Sequence, residues 1–195
     1  RLAPGMGLMD QPNHRSLHAV PTPVGGGIVP VIVIASYLFV ISPLEGAHGV
    51  AWLILILGAI GLSDDKWGLP SGPRFLGYLL AGIALPWLML PIGQQLSLMT
   101  LVGMLTLGVS VAWCINLFNF MDGADGLATV QLTSVALGLG LIAKFGPVDA
   151  QELVWCCAAL FASTAPLTIF NWPPARVFLG DAGAIPLGFF LAVLG

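Results

Sequence analysis

Residues 96–118 read Leu-Ser-Leu-Met-Thr-Leu-Val-Gly-Met-Leu-Thr-Leu-Gly-Val-Ser-Val-Ala-Trp-Cys-Ile-Asn-Leu-Phe, and the chain continues as Asn119-Phe-Met-Asp122-Gly-Ala-Asp125-Gly-Leu-Ala. The first part is an apolar run long enough for a membrane-spanning helix, which needs about 20 residues. With Asn116, the end of the run carries two amides and two carboxylates within ten residues. A carboxylate at the centre of a bilayer costs roughly 2.5–3.5 kcal/mol on insertion scales. A polar cluster closing such a run therefore marks a candidate functional site.

The rest of the chain has the same character. Hydrophobic residues make up 57% and charged residues 8%, with a mean hydropathy of +0.97. A soluble domain carries about 25% charged residues, so a soluble fold is excluded. Seven apolar runs stand out, at 27–43, 50–63, 75–92, 96–118, 126–145, 153–170 and 182–195. They are continuous rather than alternating, which selects helices over barrel strands. The first two are short for a full span. The expected fold class is all-α: a polytopic transmembrane helix bundle forming one domain, 1–195. The chain opens on Arg1 without Met and closes at Gly195 inside an apolar run. It reads as an internal piece of a longer membrane protein.

The net charge of −3 comes from few residues, and six basic residues make no nucleic-acid patch. Cys114, Cys156 and Cys157 lie in apolar runs, where cysteine acts as a small hydrophobe. Neither a disulfide framework nor a zinc site is expected from them.

Counting connections sorts the charges. The head 1–26 and the loops near 64–74, 119–125 and 171–181 share one side of the membrane. On that side lie Arg1, Arg15, Lys66, Arg74 and Arg176, against Lys144 on the other. Positive residues favour the cytoplasmic side, so that side is expected to be cytoplasmic. It also collects Asp10, Asp64, Asp65, Asp122, Asp125 and Asp181, leaving Glu45, Asp149 and Glu152 opposite. Separate helix ends thus bring carboxylates to one surface.

Each constellation has two readings. Asp64 and Asp65 follow Gly61 at a helix end, and adjacent helical residues diverge by about 100°. One could bind metal while the other addresses a substrate, or the pair could simply stop a helix before Gly68, Pro70 and Gly72. Asp122 and Asp125, three apart, would share a helix face, or would sit in an Asp/Gly turn before the next helix. Asp181, between Gly180 and Gly183, suits an N-cap and equally a hard oxygen ligand for Mg²⁺. The head, with Arg15, His14, His18 and Gly25-Gly26-Gly27, suits an anionic ligand. Its prolines favour an extended segment.

Four ordered motifs together resemble a known family: the head from Asp10 to Gly27, Asp64-Asp65 with Arg74, Asn116 to Leu127, and Val177 to Gly188. The chain resembles the polyprenyl-phosphate N-acetylhexosamine-1-phosphate transferases (glycosyltransferase family 4), which include phospho-N-acetylmuramoyl-pentapeptide transferase. The phrases Asn119-Phe-Met-Asp-Gly and Asn171-Trp-Pro-Pro-Ala-Arg176-Val-Phe are more similar to the O-antigen and undecaprenyl-phosphate GlcNAc-1-phosphate branch. Val24 and Ala184 depart from the family pattern, where Arg and Ser are common, and shifted substrate contacts are expected there.

This resemblance implies a reaction: a UDP-N-acetylhexosamine gives its sugar-1-phosphate to a polyprenyl phosphate lipid, releasing UMP. It implies Mg²⁺ (or Mn²⁺), multi-pass placement in the bacterial inner membrane with a cytoplasmic active site, and a first membrane step of cell-envelope polysaccharide synthesis. A homodimer is compatible with it. It also implies roles by position. Asp181 matches the family's metal-ligand Asp. Asp64 matches the residue that orients or deprotonates the lipid phosphate, shares the metal site, and has Asp65 beside it. Asn116, Asn119, Asp122 and Asp125 match site residues near metal and nucleotide. Arg74, Arg15, Lys66 and Arg176 are candidates for phosphate oxygens. Carboxylates alone would repel a pyrophosphate, so the acids are consistent only with a divalent cation. A transporter would place its ionisable groups near the midplane, and here they sit at helix ends. The Asp-Gly-x-x-Ala-Arg pattern of CDP-alcohol phosphotransferases fails at Thr129, where Arg is needed.

Overall fold

A computed structural model describes residues 9–10, 21–89, 97–147 and 150–195. Among them the chain forms seven helices: α1 (Ile28–Val40), α2 (Ala47–Trp67), α3 (Ser71–Met89), α4 (Leu98–Met121), α5 (Leu127–Phe145), α6 (Gln151–Asn171) and α7 (Asp181–Leu194). Two dipeptide strands, β1 (Met9–Asp10) and β2 (Thr22–Pro23), pair antiparallel; at those four residues the head is extended, as its prolines suggest, and residues 11–20 lie outside the described residues. The fold is all-α, as the unbroken apolar runs require.

Four helices, α2, α4, α5 and α6, are long and apolar enough to cross a membrane. Their outward faces stay apolar: Ile56, Leu105, Val109, Leu137 and Ile169 are all exposed. A helix apolar on every side belongs in lipid. The exposed tryptophans fall mainly at the helix ends. Trp67 and Trp172 lie at the end where α2 and α6 finish, and Trp52, Trp87 and Trp155 near the opposite end. That distribution suits a ring that is apolar on its face and polar at its N–H, seated at the two membrane interfaces. The chain is a multi-pass membrane protein.

The short α7 is the centre of the bundle. It packs between α2 and α4, while α5 pairs with α6 and α3 with α4. From Ala182 to Phe190 every residue of α7 is buried, including Phe189 and Phe190. Helices in lipid associate through close packing and small residues. Gly27 and Gly183 meet so closely that a Cβ on either would overlap the other's backbone, and a Cβ on Gly82 would lie 2.8 Å from the Gly108 Cα.

Helix boundaries differ from the sequence reading where the acids lie, and α3 begins at Ser71, so Arg74 stands in a helix rather than in the expected loop. The short run at 50–63 belongs to a helix extended at both ends, so Asp64, Asp65 and Lys66 form the last turn of α2. The two acids find partners inside the bundle, Leu69 and Arg74 for Asp64 and the first amides of α7 for Asp65. Helix α4 ends at Met121, so Asp122 and Asp125 lie in the turn before α5, not on a common helix face.

Candidate active site

At one end of the bundle, α2, α4 and α7 enclose a cleft of about 410 Å³ lined by Asp64, Asp65, Asn119, Asp122, Gly180 and Asp181. The first turn of α3 adds Arg74. Helices widely separated in sequence bring these groups together, so the convergence is a property of the fold.

Arg74 holds two of the acids. Its Nη1 donates to Asp64 Oδ2 and, at 3.0 Å, to Asp181 Oδ2. The other oxygens are also engaged: the Leu69 N–H donates to Asp64 Oδ1 at 2.6 Å, and Asn119 Nδ2 donates to Asp181 Oδ1 at 2.9 Å. The Asp64 side chain is 7% exposed, against 23% for Asp181 and 30% for Arg74. Two carboxylates thus converge on a single positive group. Burial, reinforced by the adjacent Asp64, pushes the Asp181 carboxyl up to about 8. A low-dielectric position beside a second carboxylate disfavours its charged form. The Arg74 Nε is buried and has no acceptor among the described residues.

The other three acids face backbone. Asp65 points about a quarter-turn away from Asp64, as adjacency on a helix requires. Its Oδ1 accepts the Asp181 N–H at 2.8 Å and its Oδ2 the Ala182 N–H at 2.9 Å. These are donors at the start of α7 with no partner inside the helix. The reading of Asp181 as an N-cap does not hold: Gly180 is the N-cap residue, and the carboxylate that takes the first amides of α7 comes from α2. Asp122 Oδ1 accepts the Leu179 N–H at 3.2 Å and Oδ2 the Gly180 N–H at 2.8 Å. Asp125 Oδ2 accepts the Ala175 N–H at 2.9 Å, while its buried Oδ1 has no partner among the described residues.

The amides of the glycine run are taken up by backbone carbonyls. The N–H groups of Gly25 and Gly27 donate to the Leu179 carbonyl, and that of Gly26 to the Phe178 carbonyl. The run brackets the loop that carries Asp181 rather than cradling an anion.

Several candidates stand apart. Asn116 is exposed on α4 and does not line the cleft. Lys66 is exposed, its Nζ lying 5.1 Å from the centre of the Trp67 ring. Arg176 is exposed, with its guanidinium 5.8 Å from the centre of the Phe170 ring. Arg15, His14 and His18 lie outside the described residues.

Two supporting residues escaped the sequence reading as site residues. Asn171 is fully buried: its Oδ1 accepts from the Gly126 N–H at 3.1 Å and from Thr129 Oγ1 at 2.9 Å, and its Nδ2 donates to the Val177 carbonyl at 2.9 Å. An amide closing an apolar run just before Trp172-Pro173-Pro174 was the available signal. Gly61 packs so tightly on α7 that a Cβ would overlap the Asp181 carbonyl. Nothing local distinguishes it from other helical glycines.

An apolar cleft of about 600 Å³ lies at the opposite end, between Leu38, Val50, Cys156 and Phe190. It holds Glu45 and Glu152 but nothing resembling the converging network of acids, amides and Arg74.

The chain can be set beside known proteins. A family model described as glycosyl transferase family 4 matches residues 47–195. The decaprenyl-phosphate N-acetylglucosaminephosphotransferase of Mycobacterium tuberculosis is 30% identical over 98% of this chain and 54% of its own length. The probable undecaprenyl-phosphate N-acetylglucosaminyl 1-phosphate transferase of Bacillus subtilis is 28% identical over 100% of this chain and 56% of its own. The phospho-N-acetylmuramoyl-pentapeptide-transferase of Gluconobacter oxydans is 29% identical over 91% and 59%. The chain spans about half the length of the curated relatives it matches.

Proposed function

The chain belongs to glycosyl transferase family 4, and on that premise we propose that it serves a sugar-1-phosphate transferase. A UDP-N-acetylhexosamine is the donor, polyprenyl phosphate in the bacterial inner membrane is the acceptor, and UMP is released at the cytoplasmic face. The relatives' names supply the acceptor and sugar classes. One observation in this chain carries the reading: Asp64 and Asp181, from different helices, converge on one cationic group inside a polar cleft.

The donor set suits Mg²⁺ (or Mn²⁺). Mg²⁺ is usually bound by one or two carboxylates together with substrate phosphates. Asp64 and Asp181 offer that number. Among the described residues, no group of three or more His, Cys, Asp or Glu side chains is placed to hold an ion alone. That fits a site completed by the donor's pyrophosphate. When bound, the cation would neutralise charge on the pyrophosphate and on the entering phosphate.

The chain's own residues position and neutralise. Arg74 exchanges its carboxylate partners for phosphate oxygens, using Nη1 and the unengaged Nε. Asn119 fixes the Asp181 carboxylate by holding one oxygen. Asp64 orients the acceptor phosphate and takes its proton where one is present. An acceptor oxygen attacks the sugar-linked phosphorus directly; the new P–O bond forms as the bond to the bridging oxygen breaks, and UMP carries that oxygen away. Transfer of this kind depends on alignment and charge stabilisation.

UMP release is the test, measured in membranes bearing the protein with polyprenyl phosphate and a panel of UDP-sugars. Release confined to UDP-N-acetylhexosamines and dependent on the lipid is expected. No release from any donor would overturn the reading.

A further inference from the structure

We propose that Asp65 and Asp122 are positioning residues, two carboxylates that grip the four consecutive backbone amides of residues 179–182 and thereby set Asp181 in the cleft. The inference rests on the reading above, in which Asp181 works at the reaction centre.

The geometry is a paired clamp. Asp122, just after α4, takes the N–H groups of Leu179 and Gly180, one on each oxygen. Asp65, in the last turn of α2, takes those of Asp181 and Ala182 in the same way. Hydrogen bonds from neutral N–H groups to an ionised carboxylate are stronger than neutral pairs. The positive end of the α7 dipole favours an anion at this spot as well.

The loop's other edge is held too, since the Gly25 and Gly27 amides bond to the Leu179 carbonyl and the Gly26 amide to that of Phe178. Gly180 has φ +73, a conformation that favours glycine. A Cβ there would lie 2.9 Å from Asp65 Oδ2 and 3.0 Å from the Gly25 N. Adjacent acids in one motif therefore divide the work. Both line the cleft, but Asp64 bonds Arg74 whereas Asp65 bonds the backbone that carries the second cleft acid. Asp122 matches it from the other side of the loop.

Hydrogen–deuterium exchange of the full-length protein in lipid nanodiscs, read on overlapping peptides across 179–182, tests this. Asp65→Ala is expected to speed exchange at 181 and 182 by about tenfold or more, and Asp122→Ala at 179 and 180 by a similar factor. Asp65→Asn and Asp122→Asn keep one acceptor oxygen, so they speed exchange less and retain more turnover than the alanine variants. They also serve if an alanine variant does not fold. A positioning role leaves the pH–rate profile of Asp65→Asn with its wild-type shape at lower amplitude. Asp64→Ala, whose partners are Arg74 and Leu69, is expected to lose turnover with wild-type exchange at 179–182.

Wild-type protection of these amides in Asp65→Ala and Asp122→Ala would overturn the proposal. So would loss of one limb of the pH–rate profile in Asp65→Asn, which marks a proton-transferring group. Absence of UMP release from the wild-type protein is a separate failure: it removes the proposed function and leaves the exchange result standing.

Discussion

Arg74 Nη1 lies 3.0 Å from Asp181 Oδ2 while also donating to Asp64, so one guanidinium on α3 joins carboxylates from α2 and α7. The positive charge stands between the two acids proposed to hold a divalent ion.

Arg74→Ala leaves those acids facing each other without a counter-charge. A hydrogen bond to a charged group contributes about 1.5–3 kcal/mol, and partial exposure of Arg74 moves the expected loss to roughly 1–2 kcal/mol. Thermal unfolding in detergent without divalent cations should show the loss. Millimolar Mg²⁺ should restore the variant by more than it stabilises the wild type, because binding to the folded state adds stability by mass action. Equal responses of the two proteins to Mg²⁺ would contradict the shared seat.

Gly61→Ala probes the seam between α2 and α7. The new methyl meets the Asp181 carbonyl, a backbone atom that cannot rotate away. Overpacking of this kind costs typically 1–3 kcal/mol. A lower melting temperature and a loss of turnover should appear together, since Asp181 itself must shift. Wild-type melting would mean that the two helices are further apart than described.

Asn171→Ala strips a buried junction between α5, α6 and the loop that follows α6. The Gly126 N–H, the Thr129 hydroxyl and the Val177 carbonyl each lose a partner. Leaving buried polar groups unsatisfied costs about 1–3 kcal/mol apiece, and Thr129 keeps the Gly126 carbonyl as an alternative. A net loss of about 2–4 kcal/mol is expected in thermal unfolding. Asn171→Asp should fare little better, as it removes the donor to Val177 and buries a charge.

The sequence disclosed the fold class because long apolar runs admit helices and little else. It disclosed the end of the bundle where the acids gather because charge placement follows from counting turns. Asp64, Asn119, Asp122 and Asp181 reach one cleft as that count implies. Partners were less legible. Whether a carboxylate faces a guanidinium or a row of amides depends on which helix lies opposite, and spacing along one chain is silent about that. That Asp64 and Asp65 point in different directions was legible from adjacency on a helix; that Asp65 meets the amides of residues 181 and 182 depends on the position of α7. The same limit explains the glycine run at 25–27, whose amides suit an anion as well as they suit the carbonyls of residues 178 and 179 that they in fact meet. Asn171 acts through tertiary bonds alone, and Gly61 through a contact with a helix more than a hundred residues away in sequence.

UMP release by Asp181→Ala and Asp64→Ala, beside the wild-type protein and across a Mg²⁺ titration, tests the central claim most directly. Removing one preorganised electrostatic group from a transferring centre costs about 10²–10³ in rate. The account predicts cation-dependent release by the wild type and a loss of at least about a hundredfold in each variant at every Mg²⁺ concentration. Turnover at the wild-type rate in Asp181→Ala would contradict it.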